Sequence, residues 1–211
     1  MVFKDRTEAG KRLAAELSRW AFPNGLVIAV PRGGVVIGAE VARSLGLKLD
    51  LIIPRKLGAP HNPELALGAV TQDGTTILNR GLSGFLQLED KELQYVIERE
   101  IKEIKRRMIL YRGSEDYPDC KDKQLIITDD GIATGYTMLA ALRSLKKFEP
   151  EEITLAVPVA PPDTLTMLQG EVSRVVCLLV PENFYAVGQF YRDFEQTSDD
   201  EVINILRELK R

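Results

Sequence analysis

The chain is poor in the residues that most often announce a metal centre or a thiol nucleophile. In 211 residues it has one histidine, His61, and two cysteines, Cys120 and Cys177. A single histidine excludes a histidine-built metal site. The cysteines lie far apart, with no metal-ligand spacing, and Cys177 falls in an apolar run that reads as core. So few thiols fit a reduced, cytoplasmic setting. No apolar run approaches the length that crosses a bilayer. The opening MVFKDRTEAGKRLAAEL is charged from the start and has no apolar signal core, which supports the same expectation. Charge is nearly balanced, with 28 Lys and Arg against 31 Asp and Glu, so no global field draws the protein to nucleic acid or membrane. Internal repeats and low-complexity segments are absent. No nucleophile–base pair or metal cluster supports a hydrolase.

What is present suits one globular domain spanning residues 1–211. Hydrophobic residues make up 45% and charged residues 28%, ordinary values for a globular enzyme that can bury a full core. Leu13, Leu17 and Trp20 have helical spacing over 7–20. Leu26 to Val30 reads as a buried strand, followed by the turn PRGG and a helix from about Val35 to Leu45. Leu49 to Ile53 is a second strand. Arg55 to Glu64, with Gly58, Pro60 and Pro63, reads as loop. Leu65 to Val70 and Thr75 to Leu78 flank a QDG turn and predict a hairpin. Glu89 to Tyr111 predicts a long charged helix whose apolar stripe is Leu93, Val96, Ile97, Ile101, Ile104 and Met108. Its mixed charges make a solvated face, and a homodimer contact along it stays open. Ile153 to Val157 and Val175 to Val180 are strands around a helix near Asp163 to Leu168, and Asp199 to Lys210 is a final helix. Strands alternating with helices predict an α/β fold: a central parallel sheet with helices on both faces.

The most informative stretch is Leu125 to Thr137, LIITDDGIATGYT. A buried-strand lead ends in two adjacent carboxylates, Asp129 and Asp130. A turn of small residues follows, and then a helix begins. Carboxylates at a strand end can accept hydrogen bonds from vicinal hydroxyls. Main-chain amides of a small-residue turn, next to a helix N-terminus, can hold an anion. Together they describe a ligand with both a diol and a phosphate, such as a ribose 5-phosphate. A plain strand–turn–helix with capping aspartates is the bland alternative.

This segment resembles the phosphoribosyl pyrophosphate (PRPP) signature of the type I phosphoribosyltransferases, and the whole pattern resembles bacterial and archaeal members with no assigned base. The resemblance implies that Gly131, Ile132, Ala133, Thr134, Gly135, Tyr136 and Thr137 hold the 5-phosphate. It implies that Asp129 and Asp130 hold the ribose hydroxyls, with one of them, Asp130 by preference, as the base. The PRGG turn resembles the family's pyrophosphate loop, often with a strained peptide, through Arg32, Gly33 and Gly34. Arg55 and Lys56 resemble the opening of a mobile catalytic loop, with Lys56 catalytic and both facing pyrophosphate. His61 and Glu64 in that loop are open as participants or bystanders.

In the tail, PENFYAVGQFYRDF resembles the purine-salvage enzymes: Phe184 or Tyr185 would stack on a base and Arg192 would reach pyrophosphate. An acid present in those enzymes is missing here. Residues 1–24 and 181–211 would form a hood. Implied partners are PRPP and a small nitrogen nucleophile such as a nucleobase, with no nucleic acid and no membrane. Mg2+ would arrive on the substrate, near Asp129 and Asp130, rather than in a protein cage. The alternative to a transferase is a non-catalytic module that senses PRPP or nucleotides.

Overall fold

The computed structural model describes residues 2–59, 62–79 and 90–209. Its packing divides the chain into two compact units. One comprises the chain up to Ile52, Tyr117–Gly135 and the chain from Phe148 onward; the other comprises Ile53–Asp116 and Tyr136–Lys147.

The first unit is built on a five-stranded parallel sheet flanked by helices. Its strands are β1 (Gly25–Ala29), β2 (Lys48–Leu51), β6 (Gln124–Thr128), β7 (Glu152–Val159) and β8 (Arg174–Leu179), in the order β2-β1-β6-β7-β8. The three central strands are apolar almost end to end, as expected where both faces of a parallel sheet are covered. Helix α1 (Arg6–Leu17) starts at Asp5, whose side chain accepts the Glu8 N–H at 2.8 Å. It buries Ala9, Gly10, Leu13, Ala14 and Leu17 against α2 (Gly33–Leu45) and strands β7 and β8. The helix stops at Leu17 instead of running to Trp20. Ser18 caps it, and Trp20 lies outside, 38% exposed, under the Arg174 guanidinium. Helix α5 (Pro162–Gln169) packs on β8, and α6 (Asp199–Leu209) packs on α2 and β2. The terminal segments meet: Phe3 bridges to Tyr191, and the Arg192 N–H donates to the Phe3 carbonyl at 2.9 Å.

The second unit holds an antiparallel sheet of β3 (Arg55–Ala59), β4 (Asn62–Val70) and β5 (Thr76–Leu78). The predicted hairpin is there, closed by Gly74 N–H donating to the Thr71 carbonyl at 3.0 Å. The predicted loop over 55–64 is not. Its described residues, 55–59 and 62–64, are strand, because β3 pairs with β4 and absorbs Gly58 and Pro63 at register shifts around Gly58; Pro60 and His61 lie outside the described residues. Bulges tolerate glycine and proline, so the punctuation that suggested a loop marks an irregular hairpin instead.

Helix α3 (Asp90–Arg112) lies against β3 and β4. Its buried stripe is Val96, Glu100, Ile104, Met108 and Tyr111, so a glutamate stands where the apolar reading ran through Ile97 and Ile101. Helix α4 (Tyr136–Lys146) packs on all three strands of this sheet. Asp73 in the hairpin turn ties the unit together, accepting from Thr71, Thr75, Ser144 and Lys147. Burial pushes its carboxyl up, but those four hydrogen bonds outweigh burial and hold it well below the usual range.

One thiol, Cys177, also departs from its expected place in the core. Cys120 is fully buried, while Cys177 is half-buried, with burial raising its thiol to about 11.

Candidate active site

Strands β1 and β6 run side by side in register, Ala29 opposite Thr128, and the Val30 N–H donates to the Thr128 carbonyl at 2.9 Å. Both chains therefore leave the sheet together at its carboxyl edge, where open α/β sheets bind ligands. One exit is PRGG and the other is the acid pair. The Pro31–Arg32 peptide is cis.

Gly33 and Gly34 open α2, and neither has a positive φ. Their smallness serves approach rather than unusual backbone angles. A Cβ on Gly33 would stand 2.0 Å from Asp130 Oδ2 and 2.7 Å from Arg6 Nε; one on Gly34 would stand 2.8 Å from Asp129 Cα. The two motifs, about a hundred residues apart in sequence, are thus packed atom against atom.

Arg6 completes the cluster. Its Nε donates to Asp130 Oδ2 at 2.8 Å, with the two side chains 12% and 15% exposed. Asp129 Oδ1 accepts the Asp130 N–H at 2.8 Å, and Tyr191 Oη donates to the Asp130 carbonyl at 2.6 Å. Burial lifts both carboxyls. At Asp129 the neighbouring Asp130 charge adds to the rise, whereas at Asp130 the Arg6 guanidinium opposes it. Burial, and then the Asp130 charge, also raise the Tyr191 phenol. The physical outcome is unequal carboxyls, with the proton favoured on Asp129 and the negative charge on Asp130. No local signal marks Arg6 in the sequence; its helix was expected to start one residue later, and its partner is 124 residues away.

The turn after the acid pair is pinned from behind. The Ile132 N–H donates to the Val159 carbonyl at 2.9 Å, and Thr164 Oγ1 donates to the Ala133 carbonyl at 2.6 Å. Gly131 and Ile132 are buried. Ala133 and Thr134 are exposed. Gly135 has φ +78°, a left-handed conformation that favours glycine, and a Cβ there would lie 2.5 Å from Met167 Cε. Tyr136 and Thr137 open α4, whose first N–H groups have no intrahelical acceptor.

The remaining expected residues are placed as follows. Arg32 is part-exposed and pairs with Asp199 at 3.3 Å. Arg55, in the second unit, donates through Nε to the buried Glu100, which also accepts from Arg99 Nη2 at 2.9 Å. Lys56 is exposed and has no ion pair among the described residues. Arg192 is exposed. Its charge adds to the Lys4 N–H and Arg12 in holding Glu8 down. Phe184 is half-buried against Phe190, ring centroids 5.3 Å apart, while Tyr185 is 89% exposed. Gln189 Oε1 accepts the Tyr185 N–H at 2.9 Å and so fixes that ring's main chain. His61 lies outside the described residues, and Glu64 has a described backbone in β4.

Among the described residues no three His, Cys, Asp or Glu side chains gather as a cation cage. The carboxylate Oδ2 of Asp130 is already held by Arg6. A magnesium ion arriving with substrate would take most of its oxygen ligands from substrate and water. Nor, among the described residues, is any helix long and apolar enough to cross a membrane.

A parallel sheet with an acid pair and a small-residue turn at one strand end defines a class, and the sequence model of the phosphoribosyl transferase domain matches residues 4–195. The chain belongs to that family, and its fold is that of the type I phosphoribosyltransferases. It is 40% identical over 205 residues to the "Putative phosphoribosyl transferase Rv0571c" of Mycobacterium tuberculosis, covering 97% of this chain and 46% of that protein. The chain therefore spans about half the length of the curated relatives it matches. The crystal structure of TT1426 from Thermus thermophilus superposes with a TM-score of 0.82 at 38% identity, covering 99% of both chains. AQ2163 from Aquifex aeolicus shares the fold at a TM-score of 0.53 and 13% identity, covering 87% of this chain and 78% of that one.

Proposed function

We propose that the protein transfers the 5-phosphoribosyl group of PRPP to a small nitrogen nucleophile, such as a nucleobase, and releases pyrophosphate. The observation that carries this reading is the acid pair Asp129–Asp130. It stands at the end of a rigid parallel strand, backed by Gly33 and Gly34, and runs directly into the pinned turn at Ala133–Gly135. The acid pair would accept the ribose hydroxyls. The turn amides, with the hydroxyls of Thr134 and Thr137, would hold the 5-phosphate.

In the reaction a C–N bond forms at the anomeric carbon as the C–O bond to pyrophosphate breaks, and the electron pair leaves on the pyrophosphate oxygen. Positive charge develops on the sugar, and an ionised Asp130 beneath it stabilises that charge. The same carboxylate is the candidate acceptor for the proton that the nitrogen loses. Magnesium, when bound with substrate, supplies neutralisation of the leaving pyrophosphate. Arg32, in the PRGG turn, is assigned to that group. Lys56 and Arg192 have the same assignment from family resemblance, and Arg55 shares it with its structural duty to Glu100. Phe184 or Tyr185 is assigned to the base, with Tyr185 having the free face. Residues 1–24 and 181–211 would act as the hood, and the chain would work as one cytoplasmic domain.

The test is a pyrophosphate-release screen with PRPP and magnesium against purines, pyrimidines and amine nucleophiles. Turnover is expected with at least one acceptor, and Asp130→Asn should lower it by about 10²–10⁴-fold. PRPP binding without turnover across the panel would instead favour a sensor. Full activity in the variant would remove the acid pair from the mechanism.

A further inference from the structure

Arg6 is held from three sides, each contributed by a different part of the chain. Its Nε donates to Asp130 Oδ2 at 2.8 Å, its Nη1 donates to the Glu195 carbonyl at 2.6 Å, and its Cζ lies 3.9 Å over the Phe194 ring. A guanidinium carries its donors in one rigid plane, so stacking on Phe194 and bonding to Glu195 together set the direction in which Nε points. The target oxygen is boxed in from the other side, since the missing Cβ of Gly33 is what leaves room for it. Asp130 Oδ2 is therefore committed to protein, and the Asp130 carboxyl also lies within hydrogen-bonding reach of the Asp129 side chain. An aspartate carboxylate can swing about its terminal torsion, which has a broad, roughly two-fold profile. Something must choose the orientation, and Arg6 is placed to do so.

We propose that Arg6 is a positioning residue: it clamps Asp130 Oδ2 so that Oδ1 faces the ribose hydroxyl, and it ties that orientation to the seating of the C-terminal segment at Phe194–Glu195. This rests on the phosphoribosyltransferase reading and goes beyond it. The signature supplies the acid, but a residue outside the signature aims it. The terminal segments then do more than roof the site, because one atom of Asp130 is set jointly by α1, the C-terminal segment and α2.

The test compares ligands that share an anion but differ in the sugar. Wild type, Arg6→Gln and Arg6→Lys are titrated calorimetrically with ribose 5-phosphate, inorganic phosphate and pyrophosphate. For Arg6→Gln the affinity for ribose 5-phosphate should fall roughly tenfold or more, the range for a hydrogen bond to a charged group. Affinity for inorganic phosphate should stay within about twofold. Arg6→Lys should recover part of the loss, since it restores the charge but not the planar fork. Equal losses for both ligands, or no loss for either, would overturn the inference. So would a loss confined to pyrophosphate, which would make Arg6 a direct anion contact.

A wild type that binds neither ribose 5-phosphate nor phosphate would defeat the phosphoribosyltransferase reading itself. A binding wild type with indifferent variants defeats only the role of Arg6. If Arg6→Gln does not fold, Phe194→Leu removes the ring beneath the guanidinium and leaves its donors in place. It should show the same sugar-selective loss at smaller size, and an unchanged ribose-to-phosphate ratio in it would count against the proposal.

Discussion

Gly33→Ala is the smallest change that should disturb the acid pair without touching it chemically. The added Cβ would sit 2.0 Å from Asp130 Oδ2, 2.7 Å from Asp130 Cγ and 2.7 Å from Arg6 Nε. A carbon–oxygen contact needs more than about 3 Å, so the carboxylate must retreat by roughly 1 Å. That motion carries it off the 2.8 Å hydrogen bond from Arg6. A hydrogen bond to a charged group contributes about 1.5–3 kcal/mol, and breaking a well-buried ion pair costs about 3–5. Both partners keep slight exposure, so water repairs part of the loss. The expected destabilisation is about 2–4 kcal/mol by urea unfolding, together with weaker binding of ribose 5-phosphate.

Gly170→Ala is the matched control. Gly170 has φ −70° and nothing within 4 Å of its would-be Cβ. Alanine there should be neutral, or stabilising by about 0.4–1 kcal/mol. If Gly33→Ala behaved like Gly170→Ala in both assays, the packing of the two motifs would have no energetic consequence and the reasoning would be wrong.

Two further expectations concern the second unit. Glu100→Ala removes a carboxylate that is 6% exposed and paired to Arg55 and Arg99, themselves 28% and 56% exposed. Allowing for that exposure, about 1–3 kcal/mol should be lost, against near zero for Arg99→Ala; equal effects would contradict a structural role for Arg55–Glu100. Asp73 is held below the ordinary aspartate range, so its contribution is fully present above about pH 4 and is lost as pH falls. Asp73→Asn should therefore destabilise most near neutrality, with the gap to wild type closing in acid. A gap independent of pH would show that the Asp73 charge is not what binds the turn to α4.

How far the sequence reached differs between the fold and the site. Strands β1, β6 and β7 were visible because a strand covered on both faces is apolar throughout, and that pattern is local. The error over 55–64 came from the same kind of rule. Glycine and proline suggest loop punctuation there, while pairing with β4 decided the matter. Glu100 was invisible because helical spacing selects apolar residues, and a charged residue enters a buried stripe only when a distant cation, here Arg55, compensates it. Arg192, tied to pyrophosphate by the resemblance, is exposed. The arginine at the acid pair is Arg6, whose surroundings in sequence are those of any helix start.

The amino-acid order alone settled what depends on neighbours in the chain: an apolar lead, two acids, and a turn whose left-handed step only glycine takes easily. Tertiary structure decided what depends on partners far away. Parallel pairing of β1 with β6 sets Gly33 and Gly34 against the aspartates, and closure of the two terminal segments brings Arg6 and Tyr191 to Asp130. Charge and orientation at a buried carboxylate depend on what lies within a few ångströms, and sequence separation carries no record of that distance.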